Sequence, residues 1–162
     1  MTPRRRLLAS LPLAGAALAA TRSRAAETPA TKTTTERFPG DPPEHKVVYQ
    51  LNRADGDYIE AILNSVGAMI GKYQDNVAIA VVVFGPGIHL LARQPGRPVA
   101  PTQRQRVLSH LRDYGVEYVA CGNTMKTLGW TAKDMIDGIE VEEVGAAALM
   151  ERQEQGYAYI AW

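Results

Sequence analysis

The sequence predicts an α/β fold: one parallel sheet of five strands with helices on both faces. Three observations carry this. Apolar runs without polar interruption alternate with stretches of helical spacing, in the order β-α-β-α-β-α-β-α-β. The run Val77 to Phe84 holds eight consecutive apolar residues, five of them β-branched, as a parallel strand buried on both faces requires. Strand–helix alternation also forces parallel pairing, because only a crossover returns the chain to lay a strand in the same direction.

The elements follow in order. Lys46 to Leu51 (KVVYQL) is a short β-rich run, and Asn52 to Asp57 turns the chain. From Asp57, apolar residues fall at Ile59, Ile62, Leu63, Val66, Met69, Ile70 and Tyr73, a helical stripe, with Asp57 and Glu60 patterned as a capping pair. After Val77 to Phe84, Gly85-Pro86-Gly87 ends the strand and Ile88 to Ala92 starts a short helix. Gln94 to Pro101 is a Pro/Gly loop. Thr102 and Gln105 form a capping-box pattern before Val107, Leu108, Leu111 and Tyr114, the apolar stripe of a second helix that Gly115 stops. Val116 to Ala120 is the third strand, and residues 122–130 are a loop or short helix. Thr131 caps a brief helix through Ile136, Ile139 to Val144 is the fourth strand, Gly145 to Gln155 an Ala-rich helix, and Tyr157 to Ile160 the last strand.

Composition bounds the function. The 162 residues suit one domain, and 46% hydrophobic with 22% charged residues is the balance of a globular chain. The one cysteine, Cys121, excludes an intrachain disulfide and a Cys-rich zinc site. His45, His89 and His110 fit no tight metal-ligand spacing. Net charge is +1, yet five of the 18 basic residues and none of the 17 acidic ones lie in residues 1–25. The rest is net acidic and offers no basic face, so a nucleic-acid partner is not expected.

Residues 1–25 read as an export signal: Arg4-Arg5-Arg6, a mildly apolar Leu7 to Ala20, and the small-x-small sites Ala17-Leu18-Ala19 and Ser23-Arg24-Ala25. The arginines resemble a twin-arginine (Tat) signal, with an ordinary Sec signal or an uncleaved anchor as the alternatives. A periplasmic location and no membrane attachment after cleavage are the expectation. Residues 26–44, rich in Thr, Pro and Ala, read as a flexible linker, and the folded domain as 45–162. The most apolar later stretch, Val77 to Leu91, is broken by Gly85-Pro86-Gly87 and falls short of the roughly 20 apolar residues of a spanning helix.

In an open parallel sheet, ligands bind beyond the carboxyl ends of the strands. Three such ends carry chemistry here: Asn52-Arg53-Ala54-Asp55, Gly85-Pro86-Gly87-Ile88-His89 and Cys121-Gly122-Asn123-Thr124. Cys121 is the candidate nucleophile, because backbone N–H groups of Gly122 and Asn123, a helix start and the nearby Lys126 all favour thiolate. Thr124 adds a hydroxyl. A buried, inert cysteine is the competing reading. His89 is either a base or anion-binding group at the rim or a solvent-facing helix residue. Asp55 and Asp57 are explained by helix capping, and Glu140, Glu142 and Glu143 by a solvated strand edge. His45 and His110 fall away from the rim. Trp130 and Trp162 are aromatic candidates for subunit contacts.

The segments VEYVACGNTM, AIAVVVFGPGIHLL and QEQGYAYI together resemble the DsrE/DsrF-like family, over about Lys46 to Ile160. The resemblance implies a three-layer α/β/α fold, assembly into a homo-oligomer (trimer or hexamer), and work in sulfur metabolism. It also implies a persulfide-carrying cysteine, with Cys121 as counterpart, and a sulfur donor or acceptor protein as partner. The family's sulfur-relay members are cytoplasmic, whereas this chain carries an export pattern.

Two functional readings stand at this point. In the first, Cys121 carries sulfane sulfur as a sulfurtransferase or sulfur carrier, chemistry that needs an accessible low-pKa thiol and neither metal nor cofactor. In the second, the protein is a non-catalytic oligomeric periplasmic binding module in which Cys121 fills space.

Overall fold

The computed structural model describes Phe38 and residues 40–162. The signal read at 1–25 and most of the linker read at 26–44 lie outside the described residues. Five strands form one sheet: β1 (His45–Leu51), β2 (Val77–Val83), β3 (Glu117–Cys121), β4 (Glu140–Glu142) and β5 (Ala158–Ile160). Their order is β4-β3-β2-β1-β5 and every pairing is parallel. The helices are α1 (Gly56–Tyr73), α2 (Pro101–Tyr114), α3 (Gly122–Thr127) and α4 (Gly145–Glu154), with a 3₁₀ segment at Gly85–Leu90. Among the described residues, no helix is long and apolar enough to cross a membrane.

The period-two alternation of the strands divides the core into two layers. Val47, Tyr49, Leu51, Ile79, Val81, Val83, Tyr118 and Ala120 face α1, α2 and the 3₁₀ segment. Val48, Ala80, Val82 and Val119 face the other way, onto Ala148 and Leu149 of α4. The sheet is thus the middle of three layers. β2 is central and its last five residues are buried, and each fully buried valine contributes about 1.5–3 kcal/mol. That burial is why its sequence shows no polar alternation.

Helix termini depart from the sequence reading in two places. The cap of α1 is Asp55, whose carboxylate accepts from Tyr58 N–H at 2.8 Å. Asp57 sits in the first turn instead, and Glu60 pairs across to Arg106 of α2. The capping box expected at Thr102 and Gln105 is absent: α2 opens on Ala100 without a side-chain cap, with Pro101 in its first turn. Proline fits there because its missing N–H is one of the donors a helix start leaves unpaired.

The buried face of α2 also differs from the expected stripe. Leu108 and Tyr114 are 41% and 57% exposed, while Gln103, Val107 and His110 point inward. The polar members are satisfied: Gln103 Nε2 donates to Gly56 O at 2.9 Å, and His110 Nδ1 lies 2.9 Å from Tyr118 Oη. The apolar spacing was misleading because two of the three inward positions are polar.

Candidate functional site

Of the three strand ends, the structure joins two. Gly85 N–H donates to Thr124 Oγ1 at 3.1 Å, binding the turn after β2 to the start of α3. The first strand end is occupied structurally: Asp55 caps α1, Arg53 stacks on the Tyr58 ring at 4.0 Å, and Asn52 Oδ1 accepts from Tyr58 Oη–H at 3.1 Å.

Cys121 closes β3, on the α4 face. Its Sγ accepts from Gly145 N–H, at the start of α4, at 3.2 Å. Burial disfavours its anion, but hydrogen bonds from the backbone of Thr124 and Gly145, the Thr124 hydroxyl and the backbone of Asn123 outweigh it. The thiol pKa is therefore held below its ordinary value. As a neutral thiol, Sγ–H faces Glu143 O at 4.0 Å.

Room around the sulfur is created by glycines. A Cβ at Gly145 would lie 3.0 Å from Cys121 Cβ, 3.3 Å from Phe84 Cδ1 and 3.4 Å from Sγ. A Cβ at Gly122 would meet Glu143 Cα at 3.2 Å. Gly122 thus supplies clearance, and the donor missed at the sequence level is Gly145, on a different helix. Lys126, expected to assist the thiolate, pairs with Glu143 Oε1 at 3.2 Å instead. Cys121 is 6% exposed, with Gly145 at the start of α4 against its sulfur.

Beside this sulfur lies a cleft of about 340 Å³, lined by Gly85, Pro86, His89, Arg97, Thr124, Thr127 and Leu128. Thr124 belongs to both the cleft wall and the surroundings of Sγ. His89 is buried, not solvent-facing. Its Nδ1 accepts from Gly96 N–H at 3.1 Å, and Trp130 packs edge-on against its ring at 5.1 Å. Burial, then the charge of Arg97, lowers its pKa, so the ring is neutral with its proton on Nε2. Arg97, on the loop read only as Pro/Gly-rich, was not singled out. Trp130 lies at this site, and Trp162 is 61% exposed. Among the described residues, no group of three His, Cys, Asp or Glu side chains converges as a metal site.

The family model of the DsrE/DsrF-like family matches residues 45–162. No curated protein matches the chain. Among solved structures, a protein of unknown function from Methanobacterium thermoautotrophicum is similar, with a TM-score of 0.64 and 26% identity. That match covers 74% of this chain and 100% of the other. The ychN protein of E. coli superposes with a TM-score of 0.56 at 18% identity, covering 73% and 99% of the two chains. A protein of unknown function from Bacteroides thetaiotaomicron does so at 0.52 and 19%, covering 72% and 94%. The last two likenesses concern the fold alone.

Proposed function

Because the chain belongs to the DsrE/DsrF-like family through residues 45–162, we propose that it carries sulfane sulfur as a persulfide on Cys121. The observation that supports this is the set of donors on Sγ: Gly145 N–H at 3.2 Å, joined by Thr124 and Asn123. Thiolate is the nucleophile of sulfur exchange. The Cys121 thiolate attacks the outer sulfur of a persulfide donor, R–S–S⁻. A new Sγ–S bond forms, the donor S–S bond breaks, and R–S⁻ leaves with the electron pair. Two negative charges stand on each side and no external oxidant or reductant is consumed. An acceptor thiolate reverses the step, with Cys121 thiolate as the leaving group. Approach runs from the cleft, on the side of Thr124, which borders both the cleft and the sulfur.

The test is intact mass after incubation of the reduced protein with polysulfide. The expected result is a gain of one sulfur atom, removed by dithiothreitol and absent in Cys121→Ser. The 6% exposure of Cys121 favours a second reading, a binding module with a structural cysteine. No adduct, together with alkylation of Cys121 only after unfolding, establishes that second reading and refutes the first.

The same proposal includes self-association as a trimer or hexamer. Val141, Val144, Met150, Tyr159 and Trp162 are all 41% or more exposed and crowd the last part of the chain. Light scattering on the purified domain decides it, and a monomer at micromolar concentration refutes it. Export is proposed on residues 1–25. Replacing Arg4, Arg5 and Arg6 with lysine blocks it if the route is Tat, and unchanged export excludes that route.

A further inference from the structure

We propose that the cleft between the turn after β2 and the start of α3 is a binding site for a small anion, held by Arg97 and His89. Resting on the persulfide reading, that anion is the sulfur donor or acceptor itself, a low-molecular-weight compound and not a protein.

Charge argues first. Among the described residues lining the cleft, Arg97 is the one full charge and no carboxylate is present. Arg93 pairs with Asp137 and Arg106 with Glu60, whereas Arg97 has no carboxylate partner among the described residues. A guanidinium left unpaired at the mouth of a cleft is a ready partner for carboxylate, sulfonate or thiosulfonate oxygens, which match its fork of N–H groups.

His89 supplies the second donor, and its direction is fixed. The Gly96 N–H occupies Nδ1 at 3.1 Å, which puts the ring proton on Nε2. No described protein group accepts that proton, although the ring lines the cleft. The arrangement is built by the local sequence. A Cβ at Gly96 would lie 3.3 Å from His89 Cε1, so glycine is what lets the loop close on the ring. Pro95 and Pro98 bracket Gly96-Arg97 and restrict the loop that carries the guanidinium.

Size and position complete the case. About 340 Å³ is at the lower end of small-molecule sites and is far too small for a protein segment with its own fold. Pro86 and Leu128 give it apolar wall for an organic body. Thr124 belongs both to the cleft wall and to the hydrogen-bonding surroundings of Sγ, so the cleft adjoins the sulfur through that residue.

Calorimetric titration of the full chain tests this. The Cys121→Ser variant, which cannot accept sulfur, is titrated with thiosulfate, with reduced glutathione and with neutral 2-mercaptoethanol. Wild-type protein titrated with reduced glutathione checks that the serine has not altered the site. Saturable binding is expected for at least one of the two anions, weakened about tenfold or more by Arg97→Gln and weakened again by added salt. Which anion binds separates an inorganic from an organic ligand. Arg97 is exposed, so its substitution leaves the fold intact. The inference is overturned if neither anion saturates, if Arg97→Gln binds as well as its parent, or if 2-mercaptoethanol binds as tightly as the anions. Failure here leaves polysulfide loading of Cys121 untouched. Conversely, anion binding without any loading refutes the persulfide reading and the anion's role as sulfur donor or acceptor, and leaves the anion site itself standing.

Discussion

Thr124→Val is the sharpest perturbation of the site, because it keeps the side-chain volume and removes one oxygen. That oxygen has two partners. It accepts from Gly85 N–H at 3.1 Å and its hydroxyl faces Cys121 Sγ. Loss of the first contact leaves a donor at the cleft edge that water can reach, so the stability cost is at the lower end of the usual range, about 1 kcal/mol. Loss of the second removes one of several hydrogen bonds to an anion. Such a bond contributes about 1.5 kcal/mol at least, which is a thiolate population roughly tenfold smaller at any pH below the half-point. The assay is the initial rate of iodoacetamide alkylation of Cys121 as a function of pH, read by intact mass. The half-point is the diagnostic quantity, because access to the sulfur scales only the plateau. Folded wild-type protein has its half-point below that of the unfolded chain, and Thr124→Val moves it upward. Thr124→Ser restores the hydroxyl and returns it. The reasoning fails if Thr124→Val and Thr124→Ser share one half-point.

Three further outcomes are expected. Gly145→Ala forces a methyl to within 3.0 Å of Cys121 Cβ, an overpacking that costs about 1–3 kcal/mol in urea melts; a melt superimposable on wild type refutes the packing described. His110 has its pKa lowered to about 4, by burial and then by Arg106, against an ordinary 6.5. The unfolded chain takes up the proton first on acidification, so His110 withdraws stability as pH falls from about 6.5 to about 4, on the order of 3 kcal/mol in all. His110→Phe flattens that part of the stability–pH curve, and an unchanged slope refutes the assignment. Arg152, mostly buried, bridges Glu117 at 2.8 Å and Glu140 at 3.6 Å; Arg152→Met leaves the two carboxylates without their shared cation and lowers the urea midpoint by the equivalent of about 1–3 kcal/mol. No change in midpoint would mean that the pair carries no net stability.

The fold was legible because the first three strands could be read from apolar runs and α1 from its helical spacing. Cys121 was legible as a candidate for a topological reason: it stands at a strand's carboxyl end, where parallel sheets place their chemistry. Its donor from α4 was not. Gly145 N–H is 24 residues further on, carries no side-chain signature, and reaches the sulfur only because the crossover into α4 begins there. Arg97 stayed hidden for a similar reason, since a Pro/Gly loop has no periodicity to orient its side chains. The direction of His89 stayed open between rim and solvent because its orientation depends on Gly96 N–H, a backbone contact from that same loop. The stripe of α2 misled because Gln103 and His110 are buried with partners that the helix alone does not reveal.

The strand order has one more implication. The chain lays β1, β2, β3 and β4 side by side toward one edge, then crosses the whole sheet to place β5 against β1. Until residues 145–162 have left the ribosome, Val48, Ala80, Val82 and Val119 form a bare apolar surface and β1 is an open edge. The final segment is therefore a clasp, and every folding intermediate that lacks it is a template for aggregation. The same clasp brings the Gly145 N–H to the sulfur, so a chain that has not finished folding also lacks its tuned thiol.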